Sequence, residues 1–220
     1  MEIKYTKKTC ITGRLLKEYM LESLEDKKIL LNLGNSHLNI GKYIIEGYNI
    51  LNSLESIRNS ANKRRMFRLF KENNIRCLKY VPIEDLNTSK YFLERLTSQF
   101  FIRNGYATIK EDKSIEYRII VFRNRILKTY IKIPQTNEFI LKKQNCVFKR
   151  MRMPFDYNIQ ENIINSVKCL GLDLAGVDML INKKGEDKII EVNSGPGMGI
   201  PTIKMLYRQI ERYINNELYI

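Results

Sequence analysis

The chain has 220 residues, 44% of them hydrophobic, and a formal net charge of +14. That is apolar material for one sizeable core or two lobes, and no apolar run is long enough to cross a bilayer. The cysteines, Cys10, Cys77, Cys146 and Cys169, form no C-x-x-C pair, which argues against a zinc site and for small, buried, reduced thiols in a cytoplasmic setting.

The positive charge spreads along a chain rich in Lys, Asn and Ile and gathers in no tail. There is no RNP-type aromatic signature, zinc-finger spacing or Walker-A loop, so nucleic acid is not expected as the main partner. The first residues, MEIKYTKKTC, lack the apolar core of a secretory signal.

In chain order, residues 1–53 read as a short α/β segment. Residues 29–33 form an apolar strand candidate, with a turn at Gly34, Asn35 and Ser36. His37, the only histidine, reads as a surface or turn residue. Residues 62–73 predict a helix whose stripe is Met66, Phe67, Leu69 and Phe70, with Ser60 or Asn62 as its cap. Lys63, Arg64 and Arg65 are consecutive there, the pattern of a solvated helix face. A second helix is expected over 89–96.

Residues 100–106 read as a strand carrying Arg103, and 116–122, EYRIIVF, as a buried strand carrying Arg118. A cation in so apolar a strand is paired, faces a site, or lies on a wet face. A further strand is expected at 125–133 and a helix at 158–170. The last helix, 202–217, follows Pro201 and is amphipathic through Ile203, Leu206, Tyr207, Ile210, Tyr213 and Ile214.

Residues 170–201, LGLDLAGVDMLINKKGEDKIIEVNSGPGMGIP, are the most informative stretch. Val177, Met179 and Ile181 alternate with Asp178 and Leu180. A charged turn containing Gly185 follows, then a strand over 188–193. Glu191 and Asn193 are two apart and share a strand face. With Asp178 they make two carboxylates and an amide oxygen, hard ligands suited to Mg²⁺ or to capping turns. The run from Gly195 to Gly199 is too irregular for a dinucleotide fingerprint and reads as a bend.

The wording of this stretch, through Gly171, Leu172, Asp173, Gly176, Val177, Asp178, Glu191, Val192, Asn193, Pro196 and Gly197, resembles the C-terminal signature of the ATP-grasp superfamily, in its RimK-like and phage-type branches. Residues 52–75, NSLESIRNSANKRRMFRLFKENNI, and EYRIIVF are similar to two further segments of that family. The resemblance implies an α+β fold: two α/β lobes, 54–105 and 106–220, with the nucleotide site between them, after a reduced pre-ATP-grasp segment, 1–53. It implies ATP with Mg²⁺ or Mn²⁺ held by Asp178, Glu191 and Asn193. Lys63, Arg103 and Asn193 would lie at the nucleotide, and Arg103 and Arg118 at the transferring phosphoryl group.

The implied activity is ligation of a carboxylate to an amine or thiol through an acyl-phosphate, on an amino acid, peptide or protein, without a protein nucleophile. One departure bears on turnover. The family's glycine-rich lid should follow Arg103, yet residues 107–115 contain no glycine. The alternative is therefore a remnant that binds nucleotide or a partner as a scaffold.

Overall fold

The computed structural model describes residues 2–5, 15, 28–82, 100–103, 106–109, 115–135 and 146–215. Three sheets organise them. The first is parallel: β1 (Glu2–Tyr5), β2 (Ile29–Leu33) and β3 (Asn49–Leu51), in the order β1-β2-β3, with helix α1 (Gly41–Ile45) between the last two. Every residue of β2 is buried, as its apolar run predicts. A small antiparallel sheet holds β4 (Tyr80–Pro82), β6 (Tyr106–Ile109) and β5 (Phe100–Arg103), in that order.

The largest sheet is antiparallel. It comprises β7 (Ile115–Phe122), β8 (Arg125–Pro134), β9 (Cys146–Met151), β10 (Leu174–Ile181) and β11 (Asp187–Asn193), in the spatial order β11-β10-β7-β8-β9. The expected hairpin at the C-terminal signature is β10–β11. Gly185 supplies a φ of 81° at its turn, and Asn182 Oδ1 accepts from the amides of Lys184 and Glu186.

One face of this sheet is an apolar core. Tyr117, Ile119, Val121, Val177, Met179, Ile189 and Val192 pack there against α3 (Lys63–Glu72) and α4 (Tyr157–Lys168). The other face is divided. Toward one end Ile120, Phe122 and Leu174 pack with β2, β3 and α5 (Ile200–Ile214). Toward the other end it carries charge.

The stretch 52–75 holds two helices, the expected one over 62–73 and another before it. Asn52 takes a φ of 60°, α2 (Leu54–Ala61) follows, and the chain turns at Asn62 before α3. Ser53 caps α2 by accepting from Ser56 N at 3.1 Å, and Asn62 caps α3 by accepting from Arg65 N at 3.1 Å. The last helix begins at Ile200, ahead of the expected 202, because Pro201 fits the first turn. The expected helix at 89–96 lies outside the described residues. Among those residues no helix is long and apolar enough to cross a membrane.

Candidate functional site

Strand register builds a continuous row across the polar part of the large sheet. Arg150 of β9 opposes Tyr130 of β8, Tyr130 opposes Arg118 of β7, Arg118 opposes Asp178 of β10, and Asp178 opposes Glu191 of β11. Directly opposed residues point to the same face. The register between β10 and β11 shifts after Asp178, where Met179 pairs with Ile189. The extra residue, Ile190, lets the strand keep Glu191 on the Asp178 side and Ile189 in the opposite core.

Asp178 is buried, with a side chain 6% exposed. Arg118 Nη2 donates to its Oδ2 at 2.8 Å, and Arg118 Nε lies 2.6 Å from Oδ1. Lys132 of β8 brings Nζ to 3.1 Å from Oδ1 and also donates to Glu116 Oε2 at 3.2 Å. Asp178 Oδ1 nevertheless accepts no aligned hydrogen bond. Burial lifts the Asp178 carboxyl above its ordinary range, Arg118 and Lys132 pull it down, and Glu191 adds to the rise. Burial prevails, because the two cations neutralise the carboxylate without giving Oδ1 the alignment that water would.

Glu191 accepts from Lys63 Nζ at 2.8 Å and from Asn193 Nδ2 at 3.1 Å. Asn193 Oδ1 makes no hydrogen bond among the described residues. Lys63 reaches Glu191 because α3 starts at it, immediately after the Asn62 cap. The site thus gathers Lys63, Arg118, Asp178, Glu191 and Asn193. Arg103 ends β5, and its side chain lies outside the described residues.

The donor chemistry fits a hard divalent cation. Two adjacent carboxylates, Asp178 and Glu191, lie beside the Asn193 amide oxygen, and an ion here would displace Arg118 and Lys132 from Asp178 Oδ1. Among the described residues no three His, Cys, Asp or Glu side chains gather tightly enough to hold a metal, so any cage here needs Asn193. Arg118, Lys132 and Lys63 neutralise the carboxylates that such an ion would meet.

Three supporting residues were not singled out in the sequence. Lys132 and Glu116 are buried on the Asp178 face. The spacing of Glu116 and Arg118, two apart on one strand, was the available signal. Asn52 is fully buried. Its Nδ2 donates to the carbonyls of Asn32, Leu174 and Ser194, and its Oδ1 accepts from the amides of Asp173 and Leu174. It ties β2 to both strands of the hairpin. The bend at Gly195 lies against β2, since a Cβ there would sit 3.3 Å from the Leu33 carbonyl oxygen. His37 is exposed, with its amide donating to Asn35 Oδ1 at 3.2 Å.

The model of the RimK-like ATP-grasp domain matches residues 72–214, well over half of the chain, and the chain belongs to that family. The probable alpha-L-glutamate ligases of Histophilus somni and Haemophilus influenzae are each 32% identical to it over 92 residues, or 41% of this chain and 29% of theirs. The chain therefore matches under a third of the length of these curated relatives. Among solved structures, D-alanine–D-alanine ligase from Bacillus anthracis complexed with ATP superposes with a TM-score of 0.64 at 15% identity, covering 97% of this chain and 96% of that one. The ATP-grasp ligase PsnB complexed with a minimal precursor gives 0.58 at 10% identity, covering 77% and 66%. At these identities the likeness is one of fold, and the fold is the α+β ATP-grasp fold.

Proposed function

We propose that the chain is an ATP-dependent ligase that activates a carboxylate as an acyl-phosphate and passes the acyl group to an amine. The γ-phosphoryl group moves from ATP to a carboxylate oxygen and ADP leaves; the amine then attacks the acyl carbon and phosphate leaves. The observation that carries this reading is the row Arg118–Asp178–Glu191, with Lys63 at its end and Lys132 beneath it. Such a site supplies positioning and charge rather than a nucleophile.

Asp178, Glu191 and Asn193 would hold Mg²⁺. When bound, the ion neutralises charge on the phosphates of the nucleotide. Arg118 faces the same position from β7 and would hold the oxygens of the transferring group. Lys63 would turn from Glu191 to phosphate, a short swing for a flexible ammonium. Lys132 keeps Glu116 and Asp178 paired in the dry part of the site. Arg103 is assigned to the nucleotide from the sequence resemblance. The name of the curated relatives and the peptide precursor bound to PsnB support an amino-acid or peptide substrate.

A second reading is favoured by the glycine-free 107–115 segment: a chain that binds nucleotide without turnover. Calorimetric titration of Mg-ATP, followed by ADP release across a panel of amino acids and peptides, separates the two. The ligase reading expects binding, substrate-dependent ADP release, and loss of that release in Asp178→Asn and Glu191→Gln. Tight binding with no ADP from any acid–amine pair favours the second reading. Unchanged ADP release in both variants removes the site assignment.

A further inference from the structure

The charges at the row balance except at one end. Asp178, Glu191 and Glu116 are met by Arg118, Lys63 and Lys132. Among the described residues Lys128 and Arg150 are left over. Lys128 opposes Ile120 across β7 and β8, two residues along from Tyr130, so it shares the Arg118 face. Tyr130 opposes Arg150, which makes Lys128 and Arg150 diagonal neighbours on that face.

Lys128 is only 8% exposed. A lysine so enclosed ordinarily has a carboxylate against it, yet neither its side chain nor that of Arg150 makes an ion pair or hydrogen bond among the described residues. The nearest charge is repulsive: burial first, and Arg150 second, lower the Lys128 pKa. Tyr130, between the two cations and Arg118, is held by its hydroxyl on Thr202 Oγ1 at 2.6 Å and leaves the cations uncompensated.

We propose that Lys128 and Arg150 form a subsite for a carboxylate of the organic substrate, distinct from the position of the phosphates. Side-chain pairing argues for this division: Lys132, on the same strand as Lys128, reaches Asp178 Oδ1 at 3.1 Å, whereas Lys128 and Arg150 make no ion pair with Asp178 or Glu191 among the described residues. Arg118 lies one strand from Asp178 and serves the reacting end. The subsite would select substrates bearing a second carboxylate, as on an acidic amino acid or the free end of a peptide. Its assignment to the ligase substrate rests on the function proposed above; binding of a carboxylate does not.

The test uses glutarate, its neutral isostere glutaramide, inorganic phosphate and, separately, Mg-ADP, titrated against the full chain by calorimetry or NMR. Glutarate should bind and glutaramide should not. Lys128→Met and Arg150→Met should each weaken glutarate about tenfold, the scale of one charge-assisted contact, and leave Mg-ADP affinity unchanged. Arg150 is exposed, so its variant keeps the test open should Lys128→Met fail to fold. The subsite is overturned if glutarate does not bind, binds no better than glutaramide, or binds both variants as before. Phosphate bound more tightly than glutarate, or Mg-ADP weakened in step with it, moves the pair to the nucleotide and overturns the carboxylate assignment. Loss of Mg-ADP binding alone, with glutarate still dependent on Lys128, sinks the ligase reading and leaves the subsite standing.

Discussion

Arg118 and Asp178 face each other from adjacent strands and touch through one guanidinium edge, Nη2 to Oδ2 at 2.8 Å and Nε to Oδ1 at 2.6 Å. Their side chains are 19% and 6% exposed, so the carboxylate depends on this partner more than a surface acid would. Removing one member of a buried pair strands the other, at about 3–5 kcal/mol. Arg118→Met is therefore expected to lose stability at the low end of that range, because Lys132 remains at 3.1 Å. Adding Asp178→Asn should restore most of it. Urea denaturation of the two single variants and the double variant measures the coupling; additive losses would show the pair to be independent.

Asn52 is the second expected point of sensitivity. Its positive φ suits glycine as well as asparagine, so Asn52→Gly removes the amide without straining the backbone. It leaves three carbonyls and two amides without their partner. At about 1–3 kcal/mol for each group that water cannot reach, the loss should be at least about 3 kcal/mol. Asn52→Asp keeps the acceptor for Asp173 and Leu174 and loses the donors. Thermal and urea melts of both variants check this, and a loss below 1 kcal/mol in Asn52→Gly is the result that contradicts the clamp.

How much of this could be read from the chain depends on the range of the signal. The hairpin from Leu174 to Asn193 was legible because alternation, a glycine turn and paired oxygen donors all lie within one local stretch. β9 was not. Its sequence, CVFKRM, mixes apolar and basic residues on a half-exposed strand, and neither period stands out. Lys132 and Asp178 meet only through strand pairing across β7, which no local pattern encodes. The Asn62 cap was legible too, because an asparagine just ahead of the stripe Met66, Phe67, Leu69 and Phe70 is a local start signal.

Gly176 tests whether Arg118 is held in place by its surroundings. A Cβ at this position would lie 2.8 Å from Pro196 Cβ and 3.0 Å from Arg118 Nη1. Gly176→Ala must push the guanidinium or the Pro196 bend aside, at about 1–3 kcal/mol for overpacking. The expected result is a folded variant with weakened Mg-ATP binding, since Arg118 or the Pro196 bend that follows Asn193 must shift. Calorimetry against the same nucleotide decides it. Unchanged affinity would show that Arg118 can move without consequence for the nucleotide.

The thiols give a pH prediction whose sign is fixed by burial. Burial pushes Cys77 up to about 11 and Cys169 up to about 12, from an ordinary 9.0. A raised folded-state value favours the protonated thiol, so its contribution to stability is intact below pH 9 and is lost as pH climbs through 11 to 12. At pH 8 both thiols are protonated in the fold and poor nucleophiles. Iodoacetamide at that pH should label Cys77 and Cys169 slowly in the native chain and quickly in urea, with each cysteine followed by peptide mass mapping. Raising the pH from 8 to 10 should speed native labelling by about a hundredfold, against about tenfold for a thiol at the ordinary 9.0, because the raised groups start from a far smaller thiolate fraction and are still below their pKa. Rapid native labelling of either residue at pH 8 would mean that its sulfur meets solvent or a cation, against the burial that sets its pKa.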